Sequence, residues 1–164
     1  MTDYFAAVAR FDAEIAEAKG AEQAFKALQT LTQEIVGAKL FTFMSVDMAN
    51  ELSRRLYTSD AANYPTSGTK PLHYDHWFDT VHKARQYFVA NSIEAIAEVF
   101  PDYPLIQSLG CESVVNMPVI LGGELVGTLN MLDVAGYYTA ERVELIRRYI
   151  AVPAKLAALV AAKG

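Results

Sequence analysis

Cysteine is nearly missing from this chain of 164 residues: Cys111 stands alone. A single thiol excludes an internal disulfide framework and any zinc site built from several cysteines. Basic clusters are missing as well. Fourteen Lys and Arg stand against nineteen Asp and Glu, a net charge of −5, so the chain lacks the footprint of a protein that binds nucleic acid through phosphates. Long apolar runs are absent too. The most apolar stretch, residues 151–162, contains Pro153 and Lys155 and is shorter than the ~20 residues a membrane span requires. Asp3, Arg10, Asp12 and Glu14 break any apolar leader. No repeat and no low-complexity segment is visible. These absences predict a cytoplasmic protein that engages neither nucleic acid nor membrane.

What is present is 52% hydrophobic and 20% charged residues, enough to build one ordinary core. Residues 2–18 and 21–36 each carry a narrow apolar stripe at helical spacing, closed by Gly20 and Gly37. The period then changes from helix to strand. Residues 39–48 and 51–59 alternate as a hairpin around Ala49 and Asn50, and residues 60–70 follow as a loop rich in turn formers. A short helix is expected around Trp77, Phe78 and Val81, then a strand over 86–90. Asn91 is read as the cap of a helix reaching Phe100, with Glu94 in the capping-box position. A further helical turn spans 105–109.

Residues 112–121 and 124–133 are the clearest strands, joined at Gly122 and Gly123. A helix over 139–163 ends the chain, bent or restarted by Pro153. Hairpins dominate over crossovers, so the expected class is α+β: an antiparallel sheet of five or six strands with terminal helices on one face.

Two buried-strand asparagines, Asn116 and Asn130, need partners for their amides. A two-residue loop at Gly122 and Gly123 would pair Asn116 with Leu129 and separate the two asparagines. A three-residue loop with a bulge would set Asn116 against Asn130 and Pro118 against Thr128, building one polar stripe. Both registers stay open from the residues alone.

Residues 113–132, SVVNMPVILGGELVGTLNML, resemble the closing hairpin of a GAF domain: an apolar strand around Met-Pro-Val, a glycine turn, then apolar-Gly-x-Leu. The Tyr57-Thr58-Ser59 run, the segment 77–89 and the flanking helices also fall where that family places them. The resemblance covers nearly the whole chain and implies a GAF/PAS-like central antiparallel β-sheet. Helices 1–37 and 138–163 would pack on one face, and segments of 38–134 would enclose a small-molecule pocket on the other. It implies a single GAF domain over 1–164 with no effector segment left over, a homodimer through the terminal helices, and a separate effector protein.

The enzymatic branch that this family contains, the free methionine-(R)-sulfoxide reductases, fits poorly. Those enzymes use a second cysteine, and Cys111 has none. Their pocket carboxylates would match Val114, Asn130 and Leu132 here. Cys111 is followed by Glu112 rather than the histidine of bilin-attaching relatives, and packing is its plainer role. His73, His76 and His82 lie close together, and residues three apart share a helix face, as a metal site would need. However, His73 and His76 fall at a loop-to-helix boundary with only Asp75 and Asp79 at hand, so exposed or pocket-rim positions are their plainer reading. No metal or cofactor is therefore assigned.

A subset of stand-alone GAF proteins resembles the run Arg55-x-Tyr57-Thr58-Ser59, then Tyr64-Pro65-x-x-Gly68-x-Lys70, then Trp77. Arg55, Tyr57 and Ser59 are read as sharing one strand face. Arg55 and Lys70 would hold an anionic group and Tyr57 and Trp77 flank a flat body. The expected ligand-binding set is therefore Arg55, Tyr57, Ser59, Lys70, Trp77, Asn116, Thr128 and Asn130, and no catalytic residue is assigned. The leading function is sensing of a small polar or anionic metabolite. The alternatives are a small enzyme using the same pocket and a scaffold that only dimerises.

Overall fold

The computed structural model describes residues 2–163. Two helices come first, α1 (Tyr4–Glu17) and α2 (Ala21–Ile35), the former opened by Asp3, whose carboxylate accepts from the amide of Ala6 at 3.0 Å. The strands β1 (Leu40–Asp47) and β2 (Leu52–Thr58) form the expected hairpin. Its loop is longer than the two residues foreseen, because Asp47 already pairs with Leu52. Asp47 holds the amide of Asn50, and Glu51 takes the left-handed conformation that closes the turn.

Within the stretch read as loop, β3 (Lys70–Pro71) adds a two-residue edge strand to β2. Helix α3 (His76–Phe78) runs directly into a π-helical turn, Asp79–Lys83. Strand β4 (Phe88–Ala90) is shorter than expected. Helix α4 (Ile93–Ala97) is capped by Ser92 and not by Asn91. Asn91 is occupied elsewhere: its side chain brackets the backbone of Tyr138, accepting from the amide and donating to the carbonyl at 3.0 Å each. Helix α5 (Tyr103–Ser108) leads to β5 (Ser113–Leu121) and β6 (Glu124–Asp133).

The C-terminal helix is two helices, α6 (Ala140–Tyr149) and α7 (Ala151–Lys163), with Ile150 between them. Pro153 sits in the first turn of α7, where its missing amide costs no intrahelical bond.

All six strands pair antiparallel in the order β3-β2-β1-β6-β5-β4. The helices α1, α2, α6 and α7 cover one face. Phe11, Phe25, Leu28, Phe41, Leu129 and Ile146 are among the side chains of that main core, each at most 3% exposed. Burial of such side chains is the principal stabilising term, about 1.5–3 kcal/mol apiece.

Candidate functional site

The other sheet face carries shorter segments, and the sequence alternates to serve both sides. Along β1, Phe41 and Phe43 point to the helices, and Leu40, Thr42, Met44 and Val46 to the opposite face. Leu40 belongs to an apolar cluster with Ile96, Ile106, Val114 and Leu132 at one end. Val46 belongs to another with Leu72, Phe78 and Leu125 at the other. Between these clusters the floor turns polar, and a cavity of about 650 Å³ opens above Thr42, Asn116, Thr128 and Asn130. That volume lies in the range of small-molecule sites.

The hairpin takes the register of the bulged alternative, Asn116 against Asn130 and Pro118 against Thr128, but reaches it through a two-residue turn and not a three-residue loop. The turn is tight, since Leu121 pairs with Glu124 across Gly122 and Gly123, both at positive φ. A bulge then inserts Val126 into β6, so that Val119 faces Gly127, Pro118 faces Thr128 and Asn116 faces Asn130. The two asparagines thereby meet. Asn116 Nδ2 donates to Asn130 Oδ1 at 2.7 Å, and Asn130 Nδ2 donates to Thr42 Oγ1 at 3.1 Å. Trp77 Nε1 heads the chain by donating to Asn116 Oδ1 at 2.8 Å.

A second bulge removes two expected residues. Phe43 pairs with Tyr57 but Met44 pairs with Arg55, which leaves Leu56 as the extra residue of β2. Arg55 and Tyr57 therefore point to opposite faces. Tyr57 lies among Phe25, Phe41 and Phe43 in the helix-covered core, and its hydroxyl donates to Gln29. Ser59 also leaves the set, its hydroxyl receiving the amide of Phe41 at 2.9 Å. The remaining six, Arg55, Lys70, Trp77, Asn116, Thr128 and Asn130, line one cavity.

Tyr64 takes the aromatic place that Tyr57 vacates. Arg55 stacks over its ring at 3.8 Å and donates to the carbonyl of Pro65 at 2.8 Å, while the Tyr64 hydroxyl donates to Asp102 at 2.8 Å. This ties the 60–70 loop to the segment leading into α5. Burial, with Asp102 beside it, pushes the Tyr64 phenol well above its usual range.

Thr42 and Asp102 are lining residues that sequence reasoning missed. Thr42 had a signal, a lone polar residue alternating between two phenylalanines. His82, grouped in the sequence with His73 and His76, is brought inward by the π-helical turn and wedged edge-on against Trp77 and Phe78, with centroids 5.0 and 4.7 Å away. It is 6% exposed, and neither ring nitrogen has a hydrogen-bond partner among the described residues. The hydroxyl of Thr128, fully buried, has none either. Buried polar groups are ordinarily paired; these two unpaired ones belong to residues of the cavity lining, with their polar atoms closed off beneath its surface. Burial pulls His82 below the usual histidine value, and the charge of Asp75 opposes this only in part.

Cys111 is outside this wall chemistry. It is buried in the apolar cluster around Leu40, where burial pushes its thiol up to about 11. Among the described residues no group of His, Cys, Asp and Glu has the arrangement to hold a metal ion.

The layout of sheet, covering helices and cavity has close counterparts among solved structures. The GAF domain of a phosphoenolpyruvate-protein phosphotransferase from Acinetobacter superimposes with a TM-score of 0.71, covering 100% of this chain and 99% of its own at 11% identity. This chain has the GAF fold. A GAF domain from a two-component sensor histidine kinase of Bacillus halodurans gives a TM-score of 0.69 at 12% identity, covering 90% and 100% of the two chains. The GAF domain from a phosphoenolpyruvate-protein phosphotransferase of Coxiella burnetii gives 0.68 at 17%, covering 97% and 93%. No protein-family model and no curated protein matches the sequence. At such low identity the GAF fold is shared and the site residues are this chain's own.

Proposed function

We propose that this chain is a GAF sensor domain that binds a small polar or anionic metabolite in the cavity above Asn116 and Asn130. The observation that carries this reading is the cavity of about 650 Å³ lined by the hydrogen-bonded chain of Trp77, Asn116, Asn130 and Thr42. The kinship in fold to GAF domains of a sensor histidine kinase and of phosphotransferases supports a sensory role in the cytoplasm, linked to an effector. No helix among the described residues is long and apolar enough to cross a membrane.

Binding fits this wall better than catalysis. Acid–base or nucleophilic work requires His82 to be paired with a second titratable group, and no carboxylate or thiol hydrogen-bonds to it among the described residues.

We also propose a homodimer through the terminal helices. Phe5, Val152, Leu156 and Leu159 are 92%, 64%, 42% and 49% exposed. Phe5, Val152 and Leu156 line a groove between α1 and α7, which Asp12 and Arg148 also border. A two-fold contact would bury that apolar face. Light scattering tests it: Phe5→Asp combined with Val152→Asp should give monomers.

A thermal-shift screen across a metabolite library tests the sensing function. A ligand at a hundred times its Kd adds about 2.7 kcal/mol of stability, and a library that moves no melting temperature overturns the reading in favour of a scaffold.

A further inference from the structure

The fixed charges of the cavity lining are segregated by element. Arg55 and Lys70 stand on the sheet strands β2 and β3, whereas Asp75 and Asp102 stand on the segments laid over the sheet. Each acid is already engaged by the fold. Asp75 caps α3 by accepting from the amide of Phe78 at 2.9 Å, and Asp102 accepts from the Tyr64 hydroxyl at 2.8 Å. The two bases are not engaged in this way. The ion pairs among the described residues include neither Arg55 nor Lys70. Arg55 commits Nη1 to the carbonyl of Pro65 and one face to the ring of Tyr64, which leaves Nε and Nη2 as a two-pronged donor.

Strand register brings these two bases together with a hydroxyl. Lys70 lies directly across from Ser53 in the β2–β3 pair, so the two side chains leave one face with Cβ atoms about 5 Å apart. Arg55 is two residues along β2 on that face, and the bulge at Leu56 lies beyond it and not between. Diagonal neighbours of this kind are about 7–8 Å apart, within reach of long side chains. All three residues line the cavity. The two-residue strand β3 thus seats Lys70 at the cavity edge beside Arg55. A guanidinium fork, an ammonium and a hydroxyl converging there supply two positive charges and donors for several oxygens. A carboxylate has one charge and two oxygens and leaves part of this set unused. A phosphate monoester carries nearly two charges at neutral pH and three terminal oxygens.

We propose that the cavity binds a small phosphate monoester, its dianionic head held at the β2–β3 edge by Arg55, Ser53 and Lys70. The head group fills a small part of the 650 Å³. Inward from Arg55 the lining turns aromatic, with Trp77 and Phe100 meeting edge-on at 6.0 Å, and the esterified body lies against these rings. This deepens the sensing function and rests on the cavity being a ligand site.

Phenyl phosphate is the probe, titrated calorimetrically into the full chain in a phosphate-free buffer. It is compared with methyl phenyl phosphate (the same ring with one charge), benzoate and inorganic phosphate. Phenyl phosphate should bind about tenfold or more tighter than each of the other three. Trp77, the only tryptophan, should change its emission with phenyl phosphate and not with inorganic phosphate. Affinity should fall as NaCl rises from about 50 to about 500 mM. Lys70 is exposed, so its variants should keep the melting temperature. Lys70→Gln should weaken phenyl phosphate about tenfold, Lys70→Arg much less, and Ser53→Ala by a smaller factor than Lys70→Gln. Lys26→Gln, on α2 at the other sheet face, should change nothing. Arg55→Gln also frees the loop at Pro65, so the Lys70 and Ser53 variants carry the test. Four results each overturn the proposal: no phenyl phosphate binding at millimolar concentration, benzoate or the methyl ester binding as tightly, inorganic phosphate binding as tightly, or indifference to Lys70→Gln. If the metabolite screen still yields a ligand without phosphate that shifts the melting temperature, the sensing function stands and only the phosphate assignment falls.

Discussion

Trp77 and Asn116, thirty-nine positions apart in sequence, are joined by a 2.8 Å hydrogen bond that fastens the helical segment over the cavity to the centre of the sheet. The bond fixes both ends. It holds the indole at the cavity wall and sets the direction of every amide behind it.

Trp77→Phe should keep the aromatic contact with His82 and lose the donor. Asn116 Oδ1 is then buried and unpaired, so the expected loss is about 1–3 kcal/mol, read from urea unfolding. Combining it with Asn116→Ala should cost less than the sum, with a coupling of about 0.5–3 kcal/mol. Trp77 is also the only tryptophan, so its emission should change when a ligand fills the cavity.

The bulge at Val126 leads to a second expectation. A Cβ on Gly127 would come within 2.6 Å of the Met44 carbonyl and collide with the Phe43 ring. Gly127→Ala should therefore destabilise by about 1–3 kcal/mol. Gly123 has open space but a φ of +80°, so its substitution is limited by the backbone alone. Gly123→Asn should be nearly neutral, because asparagine tolerates that conformation, while Gly127→Asn should be worse than Gly127→Ala. Denaturant midpoints with unchanged slopes check all three.

These two glycines show what the sequence could and could not reveal. The glycine turn, the strand alternation and the helical stripes are periodic signals, and they led to the element order and the sheet. Asn116 meeting Asn130 needed a register, and the register depends on a bulge at Val126 that no local composition marks. The same limit moved Tyr57. An unbroken period of two placed it beside Arg55, but the bulge at Leu56 sends it to the aromatic cluster of Phe25, Phe41 and Phe43. His82 was named only together with His73 and His76, and its burial was illegible for a different reason. Its burial comes from a π-helical turn, which shifts the ring off the helical spacing that pattern reading assumes.

The strap over the cavity can be separated into its parts. Tyr64→Phe removes the hydroxyl that Asp102 accepts and leaves a ring for Arg55 to stack on. A hydrogen bond to a charged acceptor is worth about 1.5–3 kcal/mol. Faster amide exchange across residues 60–70 should accompany the loss, with the sheet amides of β1 and β6 unchanged. Tyr64→Ala removes the stacking as well and should loosen the loop further. Equal exchange in both variants would mean that the hydrogen bond alone holds the strap.

Cys111 supplies the last test, because its packing role and a chemical role diverge in rate. Burial, with Asp133 adding and Lys39 opposing, lifts its thiol to about 11, so at pH 8 almost none is thiolate, the form that reacts. The folded protein should therefore resist Ellman's reagent, and one thiol per chain should react promptly in urea. Because the folded thiol titrates above its unfolded value, labelling of the folded state should accelerate as pH rises toward that value. Cys111→Ala should cost about 1 kcal/mol through the small void left beside Leu40 and Ile106. Rapid labelling of the folded chain at pH 8 would instead make Cys111 a reactive group.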